Sequence, residues 1–294
     1  MEGETSKNVS SLRALLRRVI SDRGTPFPNL EADRIICGVL GTSRARLLSR
    51  PLEELPDEKR ALALALARRR ADGEPLAYVL GDAVFCGRKF LVDKRTLIPR
   101  PETEILTGLA DGFLKKTGSG EFADWCTGSG CIAVTLCADN PNFTAFAVDS
   151  SGKALEAARC NAELHGVADR IKFAECEDPA SAHIKPESLD MAAANPPYIP
   201  SGAIGTLESQ VRDYEPREAL DGGADGLYVY RLLLRGLPRF LKPGAALFFE
   251  TGGGAQPGEI AEIAAREAPS LRLEEILKDH RKIARFMLWR KLSK

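Results

Sequence analysis

Residues 195–198 read Asn-Pro-Pro-Tyr and close a small apolar run at 191–194. Proline fixes φ and has no N–H, so two in succession make a rigid turn whose carbonyls are not drawn into a helix. The carbonyls of Asn195 and Pro196, together with the Asn195 side-chain oxygen, then form a set of acceptors, and Tyr198 adds a flat face. Such a set suits an NH2 group on a planar molecule, either a carboxamide or the exocyclic amine of a base. A strand-closing turn, or an exposed polyproline ligand for a partner, would use the same residues without chemistry.

A second constellation lies upstream. Residues 124–130 (DWCTGSG) place glycines where a strand gives way to a helix, and Asp149 ends the next strand-like run. Glycines there let a ligand approach the backbone, and an acidic side chain at the next strand end can accept both hydroxyls of a ribose. A nucleoside cofactor is implied. Residues 128–133 (GSGCIA) also fit a dinucleotide fingerprint, so a nicotinamide cofactor stays open.

These residues need a scaffold, and the rhythm of the chain supplies one. Over residues 10–73 the pattern is helical: Leu12, Leu15, Leu16, Val19 and Ile20 share a face, with Ser10 or Ser11 available as N-cap. The stretch ALALALARRR at 61–70 alternates as a strand might, but alanine and leucine favour helix, and Asp57 and Glu58 lead while Arg68, Arg69 and Arg70 trail. It is read as a helix whose arginines are solvated rather than bound to RNA or an acidic partner. Next, a hairpin turns at Cys86-Gly87, and Pro101 opens a helix with Glu102 and Glu104 in its first turn. From Phe122 strands and helices alternate, which predicts an α/β doubly wound, largely parallel sheet with ligands beyond the carboxyl ends of its strands. Residues 271–277 and 283–291 lack a clear helix between them and predict an antiparallel pair at the sheet edge.

Composition narrows the functions. Lys plus Arg and Asp plus Glu both number 41, so no global field steers the chain onto a polyanion. The opening MEGETSKNVS is polar where a leader would need an apolar stretch, and no run approaches the ~20 apolar residues of a membrane span, which predicts a cytoplasmic protein. The seven cysteines (37, 86, 126, 131, 137, 160, 176) form no C-x-x-C pair and read as small buried thiols. Three scattered histidines (165, 183, 280) give a metal site no support. No G-x-S-x-G, Walker loop or zinc spacing supplies a competing chemistry.

LIPRPETE (97–104), NPPYIP (195–200) and YEPREALDGGADGL (214–227), in that order, resemble the HemK/PrmC glutamine N5-methyltransferases. NPPY alone is shared with adenine methyltransferases; the three segments together are far more specific, and the likeness covers most of the chain. It implies an N-terminal helical substrate-docking domain (1–75), a linking β-hairpin (76–100) and a Rossmann-like class I methyltransferase domain with a seven-stranded sheet (101–294). The implied reaction moves a methyl group from S-adenosylmethionine to the amide nitrogen of the glutamine in the Gly-Gly-Gln motif of peptide chain release factors, leaving S-adenosylhomocysteine. PETE after IPR resembles the release-factor branch rather than the relatives that modify a large-subunit ribosomal protein.

By the same resemblance Gly128 and Gly130 line the methionine end of the cofactor, Asp124 and Thr127 also bind the cofactor, Asp149 takes the ribose, and Glu177 or Asp178 lies near the adenine. Asn195, Pro196 and Tyr198 are the catalytic set, with Asn195 also touching the cofactor and Pro197, Arg100 and Glu102 completing the substrate side. No metal, no stable nucleic acid, no membrane and a monomer are expected. The chain departs from the family pattern at Cys126, where glycine is usual, in FADW before it, and in ETGGGAQ (250–256), which leaves Glu250 and Gln256 without a role. An adenine methyltransferase, a ribosomal-protein methyltransferase, a nicotinamide dehydrogenase and a non-catalytic release-factor-binding or cofactor-sensing module are the other readings.

Overall fold

The structure, a computed structural model, describes residues 7–21 and 25–293; the first six residues of the polar opening lie outside them. The chain divides into two compact units: residues 1–81 with 208–214, and residues 82–207 with 215–294.

The first unit is helical. Its elements are α1 (Val9–Ser21), α2 (Pro28–Leu40), α3 (Arg44–Ser49), α4 (Asp57–Ala71) and α5 (Leu76–Leu80). The α1 cap is Asn8, not Ser10 or Ser11: its Oδ1 accepts from Ser11 N at 2.9 Å, because the helix begins at Val9, ahead of both serines. Leu12, Leu16 and Ile20 pack with Ile35 and Ile36 of α2 and with Ala63 and Ala67 of α4, so the alanines of the alternating stretch are what let α4 approach closely. Of the arginine run, Arg68 and Arg69 are exposed as expected and Arg70 is not. Arg70 is buried and donates to Glu31 at 2.8 and 3.1 Å, and Arg69 donates to Glu74 at 2.7 and 2.8 Å. Buried Asp33 likewise accepts from Arg13 (2.6 Å) and Arg44 (2.8 Å). Breaking such buried pairs leaves an uncompensated charge, so they hold the helices in one arrangement.

The second unit begins with the hairpin β1 (Asp82–Phe85) and β2 (Arg88–Leu91), preceded by α5 where only hairpin was expected. Cys86 and Gly87 have φ of 48° and 72°, the paired left-handed conformation whose twist matches two antiparallel strands. Then follow α6 (Pro101–Thr117), β3 (Gly120–Trp125), α7 (Cys131–Asp139), β4 (Phe143–Asp149), α8 (Gly152–Leu164), β5 (Ile171–Glu175) and β6 (Leu189–Ala194). Residues 208–214, including α9 (Ser209–Tyr214), cluster with the helical unit, where Tyr214 donates to the Asp72 carbonyl at 3.0 Å. The remainder is α10 (Tyr228–Gly236), β7 (Leu241–Glu250), α11 (Gln256–Glu267), β8 (Leu271–Lys278) and β9 (Ala284–Lys291).

The seven strands run in the order β5-β4-β3-β6-β7-β9-β8, with β3 to β7 parallel and β9 antiparallel to both its neighbours. Strand alternation splits the core in two. Ala123, Trp125, Leu247 and Phe249 face α10 and α11, while Phe122, Met191, Ala193 and Phe248 face α6 and α7 and join Phe85 and Phe90 of the hairpin. All seven cysteines are free; only Cys131 and Cys137 are buried, and Cys160 is exposed. No helix among the described residues is long and apolar enough to cross a membrane.

Candidate functional site

A cavity opens at the carboxyl ends of β3, β4 and β6, where a doubly wound sheet places its ligands. Of the residues singled out in the sequence, Arg100, Thr127, Gly128, Asp149, Glu177, Asn195 and Pro197 line it, as does Cys126. Asp124, Gly130, Glu102, Pro196 and Tyr198 do not, nor does Asp178, whose Oδ1 accepts from Ala180 N at 2.8 Å. Each has a physical reason.

Asp124 lies on the face of β3 that points toward α7, so its carboxylate is fully buried beneath the glycine loop. It accepts from Thr127 Oγ1 at 2.5 Å and from Ala133 N at 3.0 Å and fastens the loop to the start of α7. Burial pushes it up to about 7, those two bonds only partly opposing. Gly130, at φ 77°, serves packing: a β-carbon there would stand 3.1 Å from that of Ala158, so α7 could not approach α8. Gly128 differs. At φ 55° it has nothing within 4 Å of where a β-carbon would point, and it borders the cavity.

Cys126 adopts φ 60°. The left-handed region costs a residue with a β-carbon about 1 kcal/mol or more, so this cysteine is held there by its neighbours. Burial raises its thiol well above the ordinary range, with the nearby Asp149 and Asp124 carboxyls adding to the effect.

Asp149 accepts from Gly128 N at 2.9 Å through one oxygen and from Ser151 N at 3.0 Å through the other. A carboxylate has about four lone-pair sites, so roughly two remain for hydroxyls. Burial raises its pKa, and the backbone bonds oppose the rise. Glu177 accepts from the Tyr228 hydroxyl at 3.2 Å, and both border the cavity. The acidic lining also includes Glu218 and Asp221, against Arg95 and Arg100. Both arginines are committed, Arg95 to Asp93 (2.8 Å) and Arg100 to Glu215 (2.6 Å). Such a lining suits a cationic sulfonium and disfavours the pyrophosphate of a dinucleotide.

On the opposite wall Asn195 donates from Nδ2 to Thr103 Oγ1 at 3.1 Å, which leaves Oδ1 as its unengaged group. None of the turn, loop or cap hydrogen bonds among the described residues uses the carbonyls of Asn195 or Pro196. Pro196 itself is buried. Tyr198 is no open platform: its ring lies against Gly252, where a β-carbon would come within 3.0 Å of it, and its carbonyl accepts from Gln256 Nε2 at 2.7 Å. Gln256 Oε1 accepts from Gly252 N at 2.8 Å, so this side chain pins the proline turn to the segment after β7. Glu102 stands off the wall, a charged neighbour of Glu250 and Tyr198.

The three motif segments meet here. Glu215, buried, accepts from Ile98 N (3.1 Å) and Arg100 (2.6 Å). Gly222 N donates to the Ile199 carbonyl and Ile199 N to that of Leu220, at 2.8 and 3.0 Å. A β-carbon on Gly222 would meet the Pro197 carbonyl at 2.7 Å, which explains a glycine at that point. Thr103, Glu215 and Asn161 were not singled out from the sequence, and Gln256 was named there without a role. The first two sat inside PETE and YEPRE, but nothing local marked their partners. Asn161 of α8 brackets Leu91 N and O at 2.7 and 2.9 Å and donates to the Ser129 carbonyl at 2.9 Å, so one side chain ties hairpin and glycine loop together.

Comparison with known proteins gives two domain families: residues 11–81 match the PrmC N-terminal domain and residues 107–208 the methyltransferase small domain. The release factor glutamine methyltransferase of Nitratidesulfovibrio vulgaris is 37% identical over 289 residues, 97% of each chain. That of Chlorobaculum tepidum is 36% identical, covering 95% of this chain and 97% of its own, and that of Moorella thermoacetica 37% identical, covering 90% and 91%. Among solved structures, the catalytic domain of hMettl16 with an RNA hairpin superposes with a TM-score of 0.53 at 15% identity, over 80% of this chain and 82% of that one, a likeness of fold.

Proposed function

Because this chain belongs to the release factor glutamine methyltransferase family, we propose that its cavity brings a glutamine carboxamide on the Asn195 side up to a cofactor held on the Gly128 and Asp149 side. The chain is an S-adenosylmethionine-dependent enzyme that methylates a release-factor glutamine. When bound, S-adenosylmethionine supplies an electrophilic methyl group on sulfur. The glycine loop at Thr127 and Gly128 borders its amino-acid end, the two lone-pair sites left on Asp149 take ribose hydroxyls, and Glu177 with Tyr228 walls the base.

A carboxamide nitrogen is a poor nucleophile because its lone pair is delocalised into the carbonyl. Asn195 Oδ1 and the Pro196 carbonyl accept its two N–H hydrogens and hold the nitrogen in place, so this wall contributes by positioning rather than by a strong base. The observation that carries this reading is the bond from Asn195 Nδ2 to Thr103: with the donor end of the amide engaged, what remains is an acceptor. The Gly-Gly-Gln glutamine is the substrate residue, the helical unit docks the body of the release factor, and the enzyme works as a cytoplasmic monomer.

The test is transfer of radiolabelled methyl to purified release factor with this protein in catalytic amount. Stoichiometric release-factor binding without turnover, labelling of a large-subunit ribosomal protein instead, or labelling of adenine in nucleic acid would each overturn it. For docking, residues 1–81 are removed and 208–214, which cluster with them, are replaced by a short Gly-Ser linker. KM should rise far more for whole release factor than for a Gly-Gly-Gln peptide, since only the protein reaches remote contacts. Equal losses on both would reduce the helical unit to a support for the fold.

A further inference from the structure

Glu250 is a carboxyl that the reading above leaves idle. It ends β7, beside β6 in a parallel register that pairs Ala194 with Phe249, so Asn195 and Glu250 leave adjacent strands together. Glu250 is 1% exposed, its Oε2 has no hydrogen-bond partner, and no ion pair among the described residues includes it. The arginines that face it are engaged elsewhere: Arg100 with Glu215, and Arg285 of β9 with Asp279 at 2.8 Å. Glu102 of α6, Tyr198, Tyr230 of α10 and Cys131 of α7 complete its charged and titratable surroundings. Thr103, the residue that receives Asn195 Nδ2, is the side chain that offers this carboxyl a hydrogen bond, while Tyr230 donates to the Glu250 backbone carbonyl at 2.6 Å.

A hydroxyl has one proton to give. When Thr103 gives it to a Glu250 carboxylate, its lone pairs are what it offers Asn195, and only Nδ2 can answer; Oδ1 is left for substrate. A protonated Glu250 donates instead, the Thr103 proton becomes free to turn toward Asn195, and the amide can rotate to present Nδ2, the wrong polarity for an NH2 substrate. Resting on the proposed function, we infer that Glu250 is a positioning residue that acts through Thr103 to decide which end of the Asn195 amide meets the glutamine. Burial pushes Glu250 up to about 7, a hydrogen bond from Thr103 opposing the rise, so the switch lies within reach of ordinary buffers.

Two readouts test this, one independent of turnover. In 15N–1H spectra of side-chain amides, with the Asn195 pair assigned by its loss in Asn195→Ala, the pair should shift with a midpoint near 7 and stand still in Glu250→Gln and in Thr103→Val. In turnover, wild-type kcat should rise with pH through that midpoint. Glu250→Gln should be about tenfold slower on the alkaline plateau and flat across it, with Thr103→Ser near wild type and Thr103→Val slow, and cofactor affinity by calorimetry unchanged within about twofold throughout. Asp124 is also pushed to about 7, which is why the variants decide. A stationary Asn195 pair, or one that titrates alike in Glu250→Gln, overturns the inference. A titrating pair in a protein that labels no release factor leaves the coupling standing and sinks the proposed function instead.

Discussion

The two walls of the cavity are built in opposite ways. The methionine and ribose side of the cofactor wall is local: Asp124, Thr127, Gly128 and Asp149 belong to two neighbouring strands and the loop after the first, and backbone N–H groups do most of the fastening. The substrate wall is assembled from distant pieces: residues from 97–103, 195–197 and 216–221 line the cavity, and Glu215, Gln256 and the bond between Asn195 and Thr103 hold them. A local loop tolerates the loss of one contact because its neighbours are covalently near. A wall of remote pieces depends on each fastening, so damage there should appear in turnover before it appears in cofactor binding.

The largest expected effect tests that directly. Asn195→Ala should cut turnover by ~100-fold or more, the scale of losing a positioned polar group at a reacting centre, and leave calorimetric cofactor affinity nearly intact. Turnover within a few-fold of wild type would return the proline turn to a strand closure. On the other wall, Asp149→Ala should weaken S-adenosylmethionine by about 1.5–3 kcal/mol, as for hydrogen bonds to a charged group. Unchanged affinity in a folded variant would remove Asp149 from the cofactor site.

Below these comes pH. Asp124 has a folded-state pKa of about 7, raised above its unfolded value, so the stability it contributes is present at low pH and is lost as pH rises through about 7. Relative to wild type, Asp124→Asn should therefore gain about 1–2 kcal/mol between pH ~5.5 and ~8 in urea unfolding. A constant difference would mean that Asp124 stays ionised throughout. The smallest effect is Cys126→Gly, which relieves a left-handed φ and should raise stability by about 1 kcal/mol while preserving activity. A loss of stability would show that the Cys126 side chain contributes packing worth more than the strain.

The contrast between walls also explains what could be read in the sequence. Gly128 and Asp149 were legible because their spacing along the chain is their spacing in the fold, whereas Gly130, expected beside the cofactor, packs α7 against α8. The Cys86-Gly87 turn and α4 were legible because propensity decides them locally. The same reading misplaced Asp124, since a strand's alternation decides which face a side chain takes, and put Tyr198 on the wall although a glycine 54 residues on (252 − 198) receives its ring. Arg70 was read as solvated because its partner Glu31 sits on another helix. Thr103 carried no mark at all: its meaning comes from Asn195, which β6 delivers to it from 92 residues away.

One feature of the sheet bears on how the protein is made. The last strand, β9, lies between β7 and β8, so β8 has no partner in the sheet until residues 284–291 have been synthesised. On a ribosome the chain therefore waits with the edge of β7 unpaired, Phe248 and Phe249 among its residues, while the piece that covers it is still in the exit tunnel. A stop codon just before residue 284 would release a chain with every cavity-lining residue present and its sheet unfinished, a product expected to aggregate rather than to act.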